Sequence, residues 1–198
     1  MSEKGNYFGD SYPYYINKEG YSRLNIKNTG PIHAVSYSPD SKYLTLIAGN
    51  VPPSVILQEE VTYKFKDLGA LSVNSIRYSP NNLFCSIGGF GTFPGEIKIV
   101  DLNTKEIISE IVAKYTSDWK WSPCGRLFYT AILFQKLQVQ NEYHIHNHMG
   151  IVLATVKLPE LTQVEWVGDT NILPVPNIKP PPKQEKPAAY VPPHLRKK

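Results

Sequence analysis

Apolar and polar residues alternate along four short stretches of the chain, 32–37, 73–78, 117–121 and 161–166, and each ends on an aromatic residue. Alternation of period two predicts half-buried strands. A proline-containing turn follows the first three, as Tyr37-Ser38-Pro39-Asp40, Tyr78-Ser79-Pro80-Asn81 and Trp121-Ser122-Pro123-Cys124-Gly125, and Trp166-Val167-Gly168-Asp169 is a weaker fourth copy. Proline sets φ in such a turn, and Asp40, Asn81 or Gly125 is expected to accept the turn geometry. Nearly continuous apolar runs follow at 43–49, 83–89 and 127–133, as suits inner strands buried on both faces. Third and fourth strands are predicted at 96–101 and 106–112, joined through 102–105. The neighbouring hairpins are placed at 54–60 with 61–67 and at 142–148 with 151–158. Residues 14–26 predict the outer hairpin of a preceding unit, turning at 17–20.

The aromatic positions 37, 78, 121 and 166 lie 41, 43 and 45 residues apart, which is the spacing of one four-stranded propeller blade per repeat. The pattern therefore predicts an all-β fold, a partial WD40-type β-propeller of about four blades over residues 1–173, followed by a disordered tail over 174–198. Asp101-Leu102-Asn103 stands where many WD repeats carry a Trp-Asp pair. Four blades are the usual minimum for a closed ring. Roughly three full blades and parts of two more fall at or below that minimum, so both ends are expected to expose apolar faces and to self-associate.

Composition changes this picture little. Aromatic residues are 12% of the chain, with 13 tyrosines among them, and that bias favours sheet. No apolar run reaches bilayer length and the first ten residues hold no hydrophobic segment, so a cytoplasmic location without membrane contact is expected. Cys85 and Cys124 are too few for a disulfide framework and are expected to be small buried hydrophobes. Charge is more informative. The net charge is +4, but from Ile178 onward six cations (Lys179, Lys183, Lys186, Arg196, Lys197, Lys198) face one anion, Glu185, leaving 15 basic and 16 acidic residues elsewhere. The tail carries the basicity that could meet phosphate.

Candidate chemistry is sparse. His144, His146 and His148 alternate, which places them on one face of a strand. Same-face neighbours stand nearly 7 Å apart in a strand and zinc sites draw on several segments, so a polar face on an outer strand is expected and no metal site. The glycines of 88–95 lack a following helix and a Walker lysine, and predict a wide turn, not a phosphate loop. No Gly-x-Ser-x-Gly elbow or isolated carboxylate pair points to catalysis. A non-enzymatic chain without catalytic residues or cofactor is expected. The prolines of the tail preclude a packed core, and Tyr190-Val191-Pro192-Pro193-His194-Leu195-Arg196 sets an aromatic, an aliphatic and a guanidinium along a stiff backbone. Tyr190, Pro192, Pro193, Leu195, Arg196, Lys197 and Lys198 are the predicted binding residues, with charge suited to a phosphate-bearing partner such as RNA.

Several strings, taken collinearly, resemble the C-terminal half of eukaryotic translation initiation factor 2A. They are Asn6-Tyr7-Phe8-Gly9-Asp10, Gly30-Pro31-Ile32, Gly88-Gly89-Phe90-Gly91, Gly95-Glu96-Ile97-Lys98-Ile99-Val100-Asp101, Leu137-Gln138-Val139-Gln140-Asn141-Glu142-Tyr143 and Ala189-Tyr190-Val191-Pro192-Pro193-His194-Leu195-Arg196. The tail string is also similar to one in extensions of DEAD-box helicases that act in initiation. The resemblance implies a large propeller with a C-terminal extension, associated with initiator tRNA delivery to the small ribosomal subunit. It further implies mRNA and other initiation factors as partners. Against that pattern the chain begins in mid-propeller, and Lys136, Gln138 and Glu142 stand where the family carries more arginine and a glycine. A general WD-repeat scaffold and a part of translation initiation factor 3 resembling its propeller-bearing subunit are the alternatives.

Overall fold

The structure, a computed structural model, describes residues 11–18, 20–24, 30–60, 64–138 and 140–168. Among these there are fourteen strands and no helix. Strands β1 (Tyr14–Asn17) and β2 (Gly20–Arg23) form a two-stranded hairpin in which Asn17 faces Gly20. Three four-stranded antiparallel sheets follow. The first blade is β3 (Ile32–Tyr37), β4 (Tyr43–Ala48), β5 (Ser54–Glu59) and β6 (Phe65–Ala70). The second is β7 (Ser75–Tyr78), β8 (Phe84–Gly88), β9 (Glu96–Asp101) and β10 (Glu106–Val112). The third is β11 (Asp118–Trp121), β12 (Leu127–Ile132), β13 (Glu142–Asn147) and β14 (Val152–Lys157). Within each, strands pair in sequence order, which gives the partial all-β propeller its blades.

The repeated turn has a repeated hydrogen-bond device. Ser38 Oγ donates to Asp40 Oδ1 at 2.7 Å and accepts from the Tyr43 amide at 3.0 Å. Ser79 Oγ does the same with Asn81 Oδ1 at 2.6 Å and the Phe84 amide at 2.9 Å. In the third copy Ser122 Oγ meets Cys124 Sγ at 3.3 Å and accepts from the Leu127 amide at 3.1 Å. One hydroxyl thus ties the end of the inner strand to the start of the next. The left-handed residue is Ser41 (φ 57°), Asn82 (φ 58°) and Gly125 (φ 70°). In the first two copies it lies one position later than the sequence suggested. Asp40 and Asn81 instead use their side-chain oxygens to accept from the amides of Lys42 and Leu83, as in an Asx-turn.

Two cores hold neighbouring blades together. Ile47, Val55 and Leu57 of the first blade pack against Val73, Cys85, Ile87, Val100 and Leu102 of the second. Phe84 and Ile99 of the second pack against Trp121 and Phe128 of the third. Each large apolar side chain so buried contributes about 1.5–3 kcal/mol relative to exposure. Leu102 joins the first core because Asp101 Oδ1 accepts from the amides of Asn103 and Thr104 and turns the chain inward.

Two expectations need correction. Of the strand placed at 61–67, residues 61–63 lie outside the described residues, and β6 runs on to Ala70, past the expected end at 67; Glu59 N–H donates to the Lys64 carbonyl and Glu60 N–H to the Lys42 carbonyl at the mouth of the hairpin. Residues 161–166 carry no strand ladder. They nevertheless keep the contacts of a blade's inner strand: Phe134 N–H donates to the Leu161 carbonyl at 2.7 Å, and Tyr129 Oη donates to the Val164 carbonyl at 2.7 Å. Apolar exposure lies at both ends, as expected: Ile16, Tyr21 and Val35 at one end and Val152 and Leu153 on β14 at the other are all about half exposed or more.

Candidate functional site

The predicted binding residues Tyr190, Pro192, Pro193, Leu195, Arg196, Lys197 and Lys198, and the whole of 174–198, lie outside the described residues. What the structure does place are the inner strands, the histidines, the glycine loop and one cleft.

The residue before the second, third and fourth repeated aromatics is Arg77, Lys120 and Glu165, the last in the segment without a ladder. Lys120 Nζ donates to Glu165 Oε1 at 2.6 Å, while Arg77 lies 3.9 Å from Asp118 and its guanidinium is 5.5 Å from the Trp119 ring centroid. Trp166 donates its indole N–H to the Lys120 carbonyl at 3.2 Å and its ring lies 5.9 Å from that of Tyr129. These half-exposed pairs order the inner edge but contribute little individually in high dielectric.

The histidine run does not make a polar face. His146 is buried, stacks on Phe128 with ring centroids 4.8 Å apart, and shares a 3.0 Å hydrogen bond with Thr130 Oγ1. His148 lies beyond β13 in the turn, buried, and stacks on Phe84 at 5.0 Å. Burial pushes His146 down to about 4, with His144 adding to the effect and the Gly150 backbone opposing it. Burial also lowers His148, with Arg126 beside it. Alternation in the sequence does not reveal that the core side of β13 is walled by Phe128, which favours stacking of neutral imidazoles. His144 stays half-buried and meets Glu142 Oε1 at 3.2 Å and Thr155 Oγ1 at 2.9 Å. The three rings therefore do not converge on one point.

The glycine loop is the wide turn that was expected. Gly89 N–H donates to the Glu96 carbonyl and Gly95 N–H to the Gly89 carbonyl, and Asn74 grips Phe90 through both its amide and carbonyl groups. Cys85 is buried and its thiol is pushed up to about 12 by burial. Cys124 is only half-buried, contrary to expectation, because the Ser-Pro turn holds it at the surface. Burial alone would raise its thiol, but hydrogen bonds from Ser122 and the Arg126 backbone bring it below the usual value.

A cleft of about 400 Å³ opens between the connection from β10 to β11 and the sheet of the third blade. Its floor is Thr130, Ile132 and His146. Its rim holds Lys114, Tyr115, Glu142 and His144. Tyr115 is 66% exposed and its backbone is left-handed at φ 63°. Sequence reasoning missed Lys114 and Tyr115. The only signal for them was an aromatic beside a lysine in a short connection between blades.

Successive four-stranded sheets with inner strands side by side define the chain as part of a β-propeller. Among solved structures it is similar to a eukaryotic initiation factor (TM-score 0.66, 21% identity, 77% of this chain and 44% of that one). It is also similar to the β-propeller domain of the Trilobed protease from Pyrococcus furiosus (TM-score 0.57, 18% identity, 80% of this chain and 52% of that one). At these identities the likeness shows the fold alone. The sequence model of the family "Eukaryotic translation initiation factor eIF2A" matches residues 1–164. The chain belongs to that family. It is 31% identical over 199 residues to eukaryotic translation initiation factor 2A of Dictyostelium discoideum, a match covering 96% of this chain and 32% of that protein. A weaker match, 25% over 68% of this chain and 20% of the relative, is to a subunit of eukaryotic translation initiation factor 3 of Xenopus laevis. The chain thus spans about a third of the length of the factor 2A relative it matches. No helix among the described residues is long and apolar enough to cross a membrane.

Proposed function

We propose that the chain is a non-catalytic binding protein of translation initiation that acts in the cytoplasm and engages the small ribosomal subunit, with initiator tRNA as a further ligand. The family match over residues 1–164 carries this reading. It is supported by how the blades use their polar groups. Tyr78, Ser86, Trp121 and His146 each direct a hydrogen-bonding atom into contacts within or between blades, which suits a scaffold that presents surfaces. The basic tail over 174–198, with Tyr190, Leu195 and Arg196 at its far end, supplies the charge for an RNA-rich partner.

The test is co-sedimentation of the full chain with purified small ribosomal subunits, with and without nuclease, as salt is raised. Association that resists nuclease and weakens steadily with salt is the expected result, since phosphate contacts release counterions. Absence of the chain from the subunit fraction at low salt would refute the reading.

A further inference from the structure

We propose that the cleft between the β10–β11 connection and the third blade takes an unstacked base of single-stranded RNA, one carrying an exocyclic amino group. The inference rests on the RNA-binding reading above and gives it a surface on the blades, separate from the tail.

The first observation is Tyr115. A bulky residue in the left-handed region is uncommon and is retained only where its surroundings enforce it, and such residues cluster at functional sites. Here the backbone at φ 63° presents a ring that is 66% exposed at the lip of the cleft. A free aromatic face is the platform on which an unstacked base lies.

The second is the shape and lining. A volume of about 400 Å³ admits one base with room for its ribose. Val112 and Val152 give it apolar walls, while Thr130, Ile132 and His146 form a buried floor. His146 Nδ1 has no hydrogen-bond partner of normal geometry, although the Gly150 backbone is close enough to favour its protonated form.

The third is charge. Lys114 stands on one rim, and Lys157, its side chain 81% exposed, stands beyond Glu142 on the other at 3.8 Å from that carboxylate. One ammonium on the rim and a second just beyond it suit the phosphates that flank a single nucleotide. Glu142 is itself on the rim, with its side chain one-fifth exposed, and a carboxylate there accepts from the amino group of cytosine or adenine but repels the carbonyl edge of uracil. A peptide would use the apolar walls equally well. It would not account for one lysine on the rim, Lys114, and a second, Lys157, just beyond it.

The experiment is fluorescence anisotropy of the full chain with labelled oligocytidine and oligouridine octamers at low salt. Oligocytidine should bind roughly tenfold more tightly than oligouridine, and Tyr115→Asn, which tolerates the left-handed backbone, should weaken it roughly tenfold. Phe65→Ser, which removes another exposed aromatic, should change nothing. Equal binding of both octamers, no binding of either, or parental affinity in Tyr115→Asn would overturn the proposal. Should that variant lose its fold, ultraviolet cross-linking of the parent chain to oligocytidine decides. A cross-linked peptide containing Tyr115 supports the cleft, and cross-links confined to 178–198 overturn it. Loss of the octamer preference with ribosome co-sedimentation intact would remove the cleft alone. The reverse would remove the ribosomal reading and leave the cleft standing.

Discussion

Trp121 donates its indole N–H to the Ser86 hydroxyl at 2.8 Å, joining the inner strand of the third blade to the second strand of the blade before it. Tyr78 makes the same connection to Thr45 one blade earlier, and Trp166 packs on Tyr129 one blade later. Thr45, Ser86 and Tyr129 are equivalent, each two residues beyond the carbonyl that accepts from the Ser-Pro turn amide. From its second copy onward the repeated aromatic is therefore a clasp between blades, and its spacing is the spacing of the blades.

Breaking that clasp at its most buried copy should loosen the second and third blades together. Trp121→Phe, which keeps the stack on Phe84 and loses the hydrogen bond, should cost about 1 kcal/mol. Trp121→Ala, which also opens a cavity, should cost about 3–5 kcal/mol. Urea unfolding checks both, and equal losses in the two variants would contradict the assignment.

A second clasp joins the Ser-Pro turns themselves. Asn81 Nδ2 donates to the Gly125 carbonyl at 3.0 Å, and a Cβ added to Gly125 would stand 2.5 Å from the Asn81 amide. With φ at 70°, Gly125→Ala should cost roughly 2 kcal/mol from backbone and clash combined. Asn81→Ala in the same chain should recover the clash part, so the double variant should lose less than the two singles summed. Strict additivity in urea unfolding would show that the two turns do not touch.

The period of the repeat was legible because Ser38, Ser79 and Ser122 do the same local work in each copy, and strands β3, β9 and β10 fall where alternation and turn residues put them. Contacts between copies were not legible. Nothing near Asn81 announces that its amide meets Gly125, 44 residues on, and nothing in 144–148 announces that His146 and His148 stack on Phe128 and Phe84. Residues 161–166 read as a strand because their pattern matches the other inner strands. Among the described residues they lack the hydrogen-bonded second strand that turns such a pattern into a ladder. The cleft escaped for the same reason, since Tyr115 and Glu142 come together only when two blades are placed side by side.

Stability should fall with acid through His146. Its folded value, about 4, lies below the ordinary 6.5, so between those values the unfolded chain binds a proton that the folded chain does not. The stabilisation is complete above about 6.5 and is lost as pH falls toward 4, amounting to about 2 kcal/mol between pH 7 and pH 5. His148 shifts in the same direction. Urea unfolding at the two pH values should show the loss in the parent and a smaller one in His146→Gln. A parent equally stable at both would contradict the burial argument.

Six cations and one anion from Ile178 onward make the tail the most basic part of the chain, and its contribution to ribosome association can be measured directly. The salt dependence of binding to small ribosomal subunits should be compared between the full chain, a chain lacking 178–198, and the triple variant Tyr190→Ala, Leu195→Ala, Arg196→Ala. Deletion should leave the fold intact, weaken association, and flatten the log-log slope by about 0.7 for each phosphate no longer neutralised. The triple variant should weaken binding while changing the slope by about one such increment. Binding by both altered chains that matches the full chain at every salt concentration would contradict the account and leave the blades to carry the interaction.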